Sequence, residues 1–197
     1  TIPVAFGEKV CIRVLNQTQA RLELETLGLS GENDRTLRKA VSVRDGIILV
    51  TGPTGSGKTT MLNACLNAIK GLDKNICTAE NPVEYQQSLI NQVQIRPECG
   101  LDYGKALQAI LRQDPDVILF GDICEAKTAR IAVEAALAGH LVFASMYTNS
   151  APGSVCRLTD MGLEPSMLAA TLRCVVSLRL ARSICKSCKD IDRTISL

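Results

Sequence analysis

The feature that most constrains this chain is a glycine-rich motif of eight residues that follows an apolar stretch and precedes one with helical spacing. The motif is Gly52-Pro53-Thr54-Gly55-Ser56-Gly57-Lys58-Thr59, which fits the phosphate-loop pattern G-x-x-x-x-G-K-[ST]. Glycines let the backbone turn so that successive N–H groups face phosphate oxygens, and the following helix directs its positive end at the same anion. We expect this loop and Thr60 to bind ATP, with Lys58 at the β- and γ-phosphates and the Thr59 hydroxyl on Mg²⁺. The alternative is a glycine-rich turn without a ligand.

Short apolar strands alternate with helices from Gly46 onward. The spacing predicts strands at 47–51, 75–79, 92–95, 117–120 and 141–145, and helices at 58–70, 103–112, 128–137, 151–161 and 165–174. This alternation is typical of βαβ units and a mostly parallel sheet. We therefore expect an α/β fold of the P-loop NTPase (RecA-like) class, with helices on both faces of the sheet.

Residues 1–45 follow a different pattern. The run Val10–Leu15 predicts a strand preceded by a turn, 30–34 predicts a loop, and 36–43 a short helix. We assign 1–20 to the last strands of a smaller upstream α+β domain, 21–45 to a linker and helix, 46–184 to the ATPase domain, and 185–197 to a partial zinc element or frayed tail. The alternative is that the first residues edge the main domain.

Two acidic residues follow predicted strands. Asp122 comes after the apolar run Val117–Phe120, where P-loop enzymes place a carboxylate that holds Mg²⁺ or positions the attacking water. Glu80 follows the second strand of the predicted sheet and would lie beside the phosphate loop. The alternatives are that Asp122 caps a helix and that Glu80 belongs to a solvated surface turn.

Three further residues are candidates from their type and position. His140 is the only histidine and precedes a predicted strand, so it is either structural or a γ-phosphate contact. Cys185 and Cys188 form a C-x-x-C pair, which is half of a structural zinc site. Zn²⁺ would require a second cysteine pair beyond the chain end, and otherwise the two residues are free thiols.

The composition argues against several other classes of protein. The chain has 22 Lys and Arg against 20 Asp and Glu, a formal charge of +2, and 3% aromatic residues. Nucleic-acid-binding domains usually carry a basic stripe and stacking aromatics, so we expect no nucleic-acid partner. No run of 18 apolar residues is present to span a bilayer. The nine scattered cysteines are typical of buried thiols in a reducing compartment.

Several longer motifs follow one another in a fixed order. They are Pro3-x-x-Phe6-Gly7-Glu8-Lys9-Val10, Val50–Thr60, Asn81-Pro82-Val83-Glu84-Tyr85, Ile110–Asp116, Gly139-His140-Leu141-Val142, Thr148-Asn149 and Asp160–Pro165. With these motifs nearly the whole chain resembles the secretion and pilus-assembly ATPases, the hexameric motors of type II secretion and type IV pilus extension.

The resemblance implies roles for individual residues. Glu80 would be the catalytic acid of an acidic box, Asp122 would take the Walker B position, and His140 would lie in a histidine box. Arg13 and Arg112 look like the arginines that reach a nucleotide across the subunit cleft, as an arginine finger would. Cys185 and Cys188 look like the first half of a four-cysteine zinc element.

The chain departs from the family pattern in three places. The family's Glu-Asp-Pro is Glu80-Asn81-Pro82, its Gly-Glu-Ile-Arg-Asp is Gly121-Asp122-Ile123-Cys124-Glu125, and its Leu-His-Thr-Asn is Met146-Tyr147-Thr148-Asn149. The phosphate-binding groups are intact, whereas groups that tune hydrolysis are altered. Loss of one charge partner of a transition state commonly costs ~10²–10³ in rate, so nucleotide binding is expected more firmly than fast turnover.

The resemblance leaves more than one function open. The first is a Mg²⁺-dependent ATPase in a hexameric ring that drives pseudopilus or pilus assembly. Such a ring would dock to platform proteins at the cytoplasmic face of an inner membrane. If the source is eukaryotic, its location would be an organelle matrix. The alternatives are a degenerate subunit that binds ATP without hydrolysing it, and a pilus-retraction motor. A DNA-translocating motor is disfavoured by the small basic surplus.

Overall fold

The computed structural model describes residues 1–12, 23–182, 184 and 187–189. The strands are β1 (Ile2–Val4), β2 (Gly7–Lys9), β3 (Gly46–Thr51), β4 (Ile76–Glu80), β5 (Asn91–Gln94), β6 (Val117–Phe120), β7 (Leu141–Met146) and β8 (Leu172–Ser177). The α-helices are α1 (Gly31–Val41), α2 (Lys58–Ile69), α3 (Tyr103–Leu111), α4 (Ala126–Leu137), α5 (Ala151–Asp160) and α6 (Pro165–Thr171). Two 3₁₀ helices span Leu24–Leu27 and Pro97–Cys99.

Six of the strands form one sheet, in the order β5-β4-β6-β7-β3-β8. Every neighbouring pair in it is parallel. Parallel neighbours need crossover connections, and helices supply most of them here. The α/β fold expected from the alternation of strands and helices is confirmed.

Both faces of the sheet are covered, which explains why the central strands are continuous apolar runs. Alternate residues of each strand point to opposite faces, so Ile48 and Val50 of β3 pack with α1 and α2, whereas Ile47 and Leu49 pack with α3, α4 and α6. Phe120 and Phe143 are fully buried in the two clusters, one on each face. The resulting rigid sheet holds the loops that follow its strands at one edge.

The N-terminal region differs from the sequence-based expectation. The described part of the predicted strand, Val10–Ile12, is not in a strand. Instead β1 and β2 pair as an antiparallel hairpin, with Ile2 opposite Lys9, and all six of their residues are exposed. The segment that looked like a turn therefore contains β2, because its register with β1 is a contact that local composition does not encode. The boundaries assigned to the domains remain predictions.

Two further boundaries are corrected by the structure. The predicted loop at 30–34 is the first turn of α1, which begins at Gly31 and carries Glu32 and Asp34 near its positive end. The predicted helix at 165–174 ends at Thr171, and the strand β8 follows at once. Within the described residues, no helix is long and apolar enough to cross a membrane.

The cysteines are also placed differently from the expectation of buried thiols. The eight described cysteines are free thiols. Cys65 and Cys77 are buried and Cys174 is partly buried, whereas the other five, Cys11, Cys99, Cys124, Cys156 and Cys188, are exposed. Burial raises the pKa of the Cys65 thiol to about 12, so it stays protonated at neutral pH.

Candidate nucleotide-binding site

The carboxyl ends of four parallel strands meet at one edge of the sheet. These strands are consecutive in the sheet, in the order β4-β6-β7-β3, so the segments that follow them converge. They border a cleft of about 490 Å³. Its lining includes residues of the phosphate loop, Glu80 at the end of β4, Asp122 after β6 and Tyr147 after β7. The predicted phosphate loop and both predicted carboxylates are thus brought together.

The phosphate loop is shaped by its glycines and ends in a helix. Gly55 has φ +75° and Gly57 has φ +89°, both left-handed values that glycine adopts without a steric penalty. Gly57 is the N-cap of α2, and its lack of a side chain leaves the first N–H groups of the helix without a side-chain cap. Thr54, Gly55, Gly57, Lys58, Thr59 and Thr60 line the cleft directly. The geometry is that of an anion site at a helix N-terminus.

Lys58 is folded back onto the loop from which it comes. Its Nζ donates hydrogen bonds to the carbonyl oxygens of Gly52 and Pro53, both at 3.1 Å. The ammonium also lies 3.8 Å from the centre of the Tyr147 ring, a cation–π contact. Burial lowers the pKa of Lys58, and the charge of Asp122 partly opposes that effect. The residue is 7% exposed, so most of the side chain is withdrawn from water.

Glu80 is a buried carboxylate with two hydrogen-bond donors. Its side chain is 4% exposed, and its Oε1 accepts from Thr78 Oγ1 at 2.6 Å and from Gln92 Nε2 at 3.0 Å. Burial raises the pKa of Glu80, these two donors partly offset the rise, and Glu84 adds to it. A carboxylate with a raised pKa at the edge of a phosphate site is suited to proton transfer.

Asp122 follows β6, the strand next to the one that ends in Glu80, and is held by two hydroxyl groups. Ser145 Oγ contacts Asp122 Oδ1 and also lies 2.5 Å from the Gly121 carbonyl oxygen. The Tyr147 hydroxyl donates to Asp122 Oδ2 at 3.4 Å. The charge of Asp122 is the main cause that raises the pKa of Tyr147, which therefore keeps its proton to donate.

Two predicted residues lie at the opposite edge of the sheet. His140 immediately precedes β7, about 20 Å along the strand from its carboxyl end, and its Nδ1 lies 2.7 Å from the Pro115 carbonyl oxygen. The structure therefore does not bring His140 to the cleft of this chain, and its γ-phosphate contact stays a prediction. Arg112 is the exposed C-cap of α3, which leads into the start of β6, so it is also remote from its own cleft.

Two other predictions fall outside the described residues. Arg13, the second expected cross-subunit arginine, and Cys185, half of the expected zinc pair, both lie there. Cys188 is exposed. Among the described residues no group of three or more His, Cys, Asp or Glu could hold a metal ion.

Several residues of the site were not found by sequence reasoning. Gln92 of β5 donates to both Glu80 and the Tyr85 carbonyl oxygen, and accepts from the Gln87 N–H at 2.8 Å. Tyr103, at the start of α3, lines the cleft, and burial raises its pKa. Each of these residues reaches the site through the pairing of strands or the packing of a helix. The one available signal was their position at or near the ends of predicted strands and helices.

A comparison of the chain with protein families identifies the family to which it belongs. The family model described as "Type II/IV secretion system protein" matches residues 1–196. The chain belongs to this family. Its resemblance to the secretion and pilus-assembly ATPases, first inferred from motifs, is thereby confirmed.

Curated relatives of this family member come from bacterial secretion and pilus systems. The chain is 48% identical over 187 residues to the type IV pilus assembly ATPase PilB of Myxococcus xanthus, with 95% of this chain and 33% of that protein covered. It is 47% identical over 190 residues to the type II secretion system protein E of Dickeya dadantii, with 96% and 38% covered. The chain thus spans a third or slightly more of the length of these relatives.

Solved structures show the same fold. The pilus retraction motor PilT with bound ADP has a TM-score of 0.71 at 34% identity, with 79% of this chain and 47% of that chain covered. The ATPase DotB of Legionella pneumophila has a TM-score of 0.69 at 26% identity, with 81% and 46% covered. These similarities agree with a RecA-like secretion ATPase fold.

Proposed function

We propose that the chain is the nucleotide-binding part of a motor ATPase that powers pseudopilus or pilus assembly and protein secretion. The observation that carries this proposal is the single cleft shared by the phosphate loop, Glu80 and Asp122. Its volume, about 490 Å³, suits a small organic ligand. The names of the curated relatives support an ATPase of secretion or pilus assembly.

The residues at the loop fit Mg²⁺ brought in with ATP. Magnesium prefers oxygen ligands and usually combines one or two carboxylates with phosphate oxygens. The Thr59 hydroxyl and the Asp122 carboxylate are two of the oxygen-bearing side chains that line the cleft with Lys58. Bound there, the ion would neutralise negative charge on the β- and γ-phosphates.

The protein's own groups divide the remaining work of hydrolysis. The N–H groups of the loop and of the first turn of α2 would hold the phosphates, and Lys58 would exchange its carbonyl partners for phosphate oxygens. Glu80 would orient the attacking water and accept its proton, because its raised pKa makes the ionised carboxylate a stronger base than a solvated one. The partners Thr78 and Gln92 would keep that carboxylate in place.

The wider setting follows from the family and belongs to the same proposal. A hexameric ring would place one subunit's arginines, Arg112 and Arg13, near its neighbour's nucleotide. The ring would dock to platform proteins at the cytoplasmic face of an inner membrane. The exposed position of Arg112, remote from its own cleft, supports a role that reaches outside the subunit.

A degenerate subunit that binds ATP without turnover is the second candidate. It is favoured by Asn81, Asp122, Cys124 and Tyr147, which stand where the family pattern has aspartate, glutamate, arginine and histidine. A retraction motor of the same family is a further alternative, since PilT shares the fold. Single-turnover hydrolysis by the purified protein would exclude the degenerate subunit.

The test of the proposed function is ATP hydrolysis with Mg²⁺, measured beside equilibrium ATP binding. We expect wild-type protein to bind and hydrolyse ATP, and Lys58→Ala to lose both, because the ammonium is the main cation that lines the cleft among the described residues. Tight binding without hydrolysis would favour the degenerate subunit, and Asp122→Glu combined with Cys124→Arg would then be the variant to restore turnover. Absence of ATP binding would contradict the proposal.

A further inference from the structure

The side chain of Tyr147 contacts two opposite charges of the cleft. Its ring faces Lys58 Nζ at 3.8 Å from the ring centre, and its hydroxyl reaches Asp122 Oδ2 at 3.4 Å. The residue follows the last residue of β7, and its carbonyl oxygen accepts a hydrogen bond from Arg157 Nη1 at 2.9 Å. One aromatic side chain therefore contacts both a loop cation and a carboxylate proposed to face Mg²⁺.

Lys58 and Asp122 are close but do not pair. The charge of Asp122 is near enough to raise the pKa of Lys58 against the effect of burial. The ion pairs found among the described residues are made by Arg38 and Arg173, and none joins Lys58 to Asp122. Lysine has a flexible four-carbon stem, so its reach alone does not explain why the pair is not formed. The Lys58 ammonium instead donates to two carbonyl oxygens of its own loop and faces the Tyr147 ring, while Asp122 accepts from the Tyr147 hydroxyl.

We propose that Tyr147 is a positioning residue that acts as a spacer, keeping Lys58 and Asp122 apart so that the phosphate and its cation can enter between them. This inference rests on the proposed function of the cleft. A direct Lys58–Asp122 pair would satisfy both charges with each other and would have to break before ATP could bind. In this role the ring engages the ammonium through the cation–π contact, and the hydroxyl engages the Asp122 carboxylate through the hydrogen bond.

The hydroxyl and the ring make separable contributions. Tyr147→Phe keeps the ring over Lys58 and loses the contact to Asp122, whereas Tyr147→Ala loses both contacts. Tyr147 is 40% exposed, so neither variant removes a core side chain. We expect Tyr147→Ala to weaken ATP binding roughly fivefold, the effect of one partly exposed ion pair that must be broken, and Tyr147→Phe to stay within about twofold of wild type.

The decisive experiment is a double-mutant cycle on ATP affinity. ATP binding to the full-length protein is measured by titration calorimetry with EDTA, so that the result does not depend on Mg²⁺ binding by Asp122. The variants are Tyr147→Ala, Asp122→Asn and the pair. We expect Tyr147→Ala to weaken binding in the wild-type background and to have no effect in the Asp122→Asn background, because Lys58 then has no carboxylate to capture it.

The outcomes separate this role from the proposed function. Unchanged affinity of Tyr147→Ala would overturn the spacer role, and so would the same loss in both backgrounds, since a general structural effect does not depend on the Asp122 charge. Wild-type protein that binds no ATP under the same conditions would overturn the proposed function, and the spacer role with it. Wild-type ATP affinity in Tyr147→Phe, together with reduced affinity in Tyr147→Ala, would confirm that the ring is the part of Tyr147 that separates the two charges.

Discussion

Burial raises the pKa of Glu80, a change that its position in the sequence does not reveal. Desolvation disfavours the charged form of a carboxyl group, so the pKa of Glu80 rises above the 4.5 of a free glutamate. Hydrogen bonds from Thr78 and Gln92 favour the charged form and offset part of this rise. The same residue is therefore a better base for the proposed reaction and a source of instability when it is ionised.

Replacing Glu80 by glutamine should separate binding from chemistry. The amide cannot accept the proton of the attacking water, so we expect hydrolysis to fall by about 10²–10⁴, as for loss of a general base. ATP affinity should change little, because the phosphate loop is intact. Steady-state hydrolysis and equilibrium ATP binding by Glu80→Gln test this prediction. Glu134→Gln, on the exposed face of α4, is the control that should retain full activity. Equal turnover by Glu80→Gln and wild type would remove Glu80 from the mechanism.

The raised pKa of Glu80 also predicts how stability depends on pH. A carboxyl group with a higher pKa in the folded state stabilises the fold below its unfolded pKa and loses that contribution as pH rises through its folded pKa. Glutamine does not titrate, so Glu80→Gln lacks this loss. We expect the unfolding free energy of Glu80→Gln to rise relative to that of wild type as the pH is raised above 4.5, the ordinary pKa of glutamate, measured by urea denaturation. A difference independent of pH would show that Glu80 titrates normally.

Residues of the site differ in how far the sequence predicts them. Lys58, Thr59 and Asp122 follow from local spacing, because a phosphate loop and a strand end are local features. The contacts of Tyr147 with Lys58 and Asp122 join segments that are far apart in the chain, so composition could not reveal them. His140 shows a further limit: it lies in the correct sheet but before a strand instead of after it, and parallel strands present their carboxyl ends at one edge only.

At the scale of elements, the phosphate loop depends on its close approach to β8. A Cβ atom on Gly52 would lie 2.8 Å from the Leu178 carbonyl oxygen and would also clash with Ser56 Oγ. Leu178 in turn donates its N–H to the Thr51 carbonyl oxygen at 2.8 Å. The loop and the end of β8 are thus packed main chain to main chain.

Gly52→Ala should therefore disturb both stability and binding. Relieving the clash requires a shift of the loop away from β8, for which we expect a loss of about 1–3 kcal/mol of unfolding free energy and weaker ATP binding. Urea denaturation and ATP titration measure the two effects. Gly31→Ala, in the first turn of α1 with nothing within 4 Å of its Cβ position, is the matched control and should lose neither stability nor ATP affinity. A Gly52→Ala protein with wild-type stability would show that the loop does not depend on this approach.

The missed strand has a physical explanation at the same scale. α6 ends at Thr171 and β8 begins at Leu172, without a glycine or proline between them. The apolar residues of the two elements run together, so local periodicity predicts a longer helix. β8 becomes a strand because it pairs in parallel with β3, a contact more than 120 residues distant along the chain. The central strands were easier to predict because they are buried on both faces.

At the scale of the whole molecule, the two edges of the sheet bear on the proposed ring. The cleft lies at the carboxyl edge, whereas the exposed Arg112 lies near the opposite edge. A head-to-tail ring joins different surfaces of identical subunits, so it can bring one subunit's arginine to its neighbour's cleft. A complete site would then take its cleft from one chain and its arginine from the next.

Mixing two inactive variants tests this arrangement directly. Lys58→Ala has a defective cleft but an intact Arg112, and Arg112→Ala has the reverse. We expect each to lose hydrolysis alone, with ATP binding retained only by Arg112→Ala. In a ring assembled from equal amounts of both, half of the intact clefts would face an intact arginine, so about a quarter of wild-type activity should return. Hydrolysis is measured at protein concentrations that permit assembly.

Lys58→Ala mixed with Glu80→Gln is the control, because both changes affect the cleft and no complete site can form. Recovery in the first mixture alone would establish a site shared between subunits. Failure of both mixtures, with Arg112→Ala active by itself, would show instead that each subunit hydrolyses ATP without this arginine.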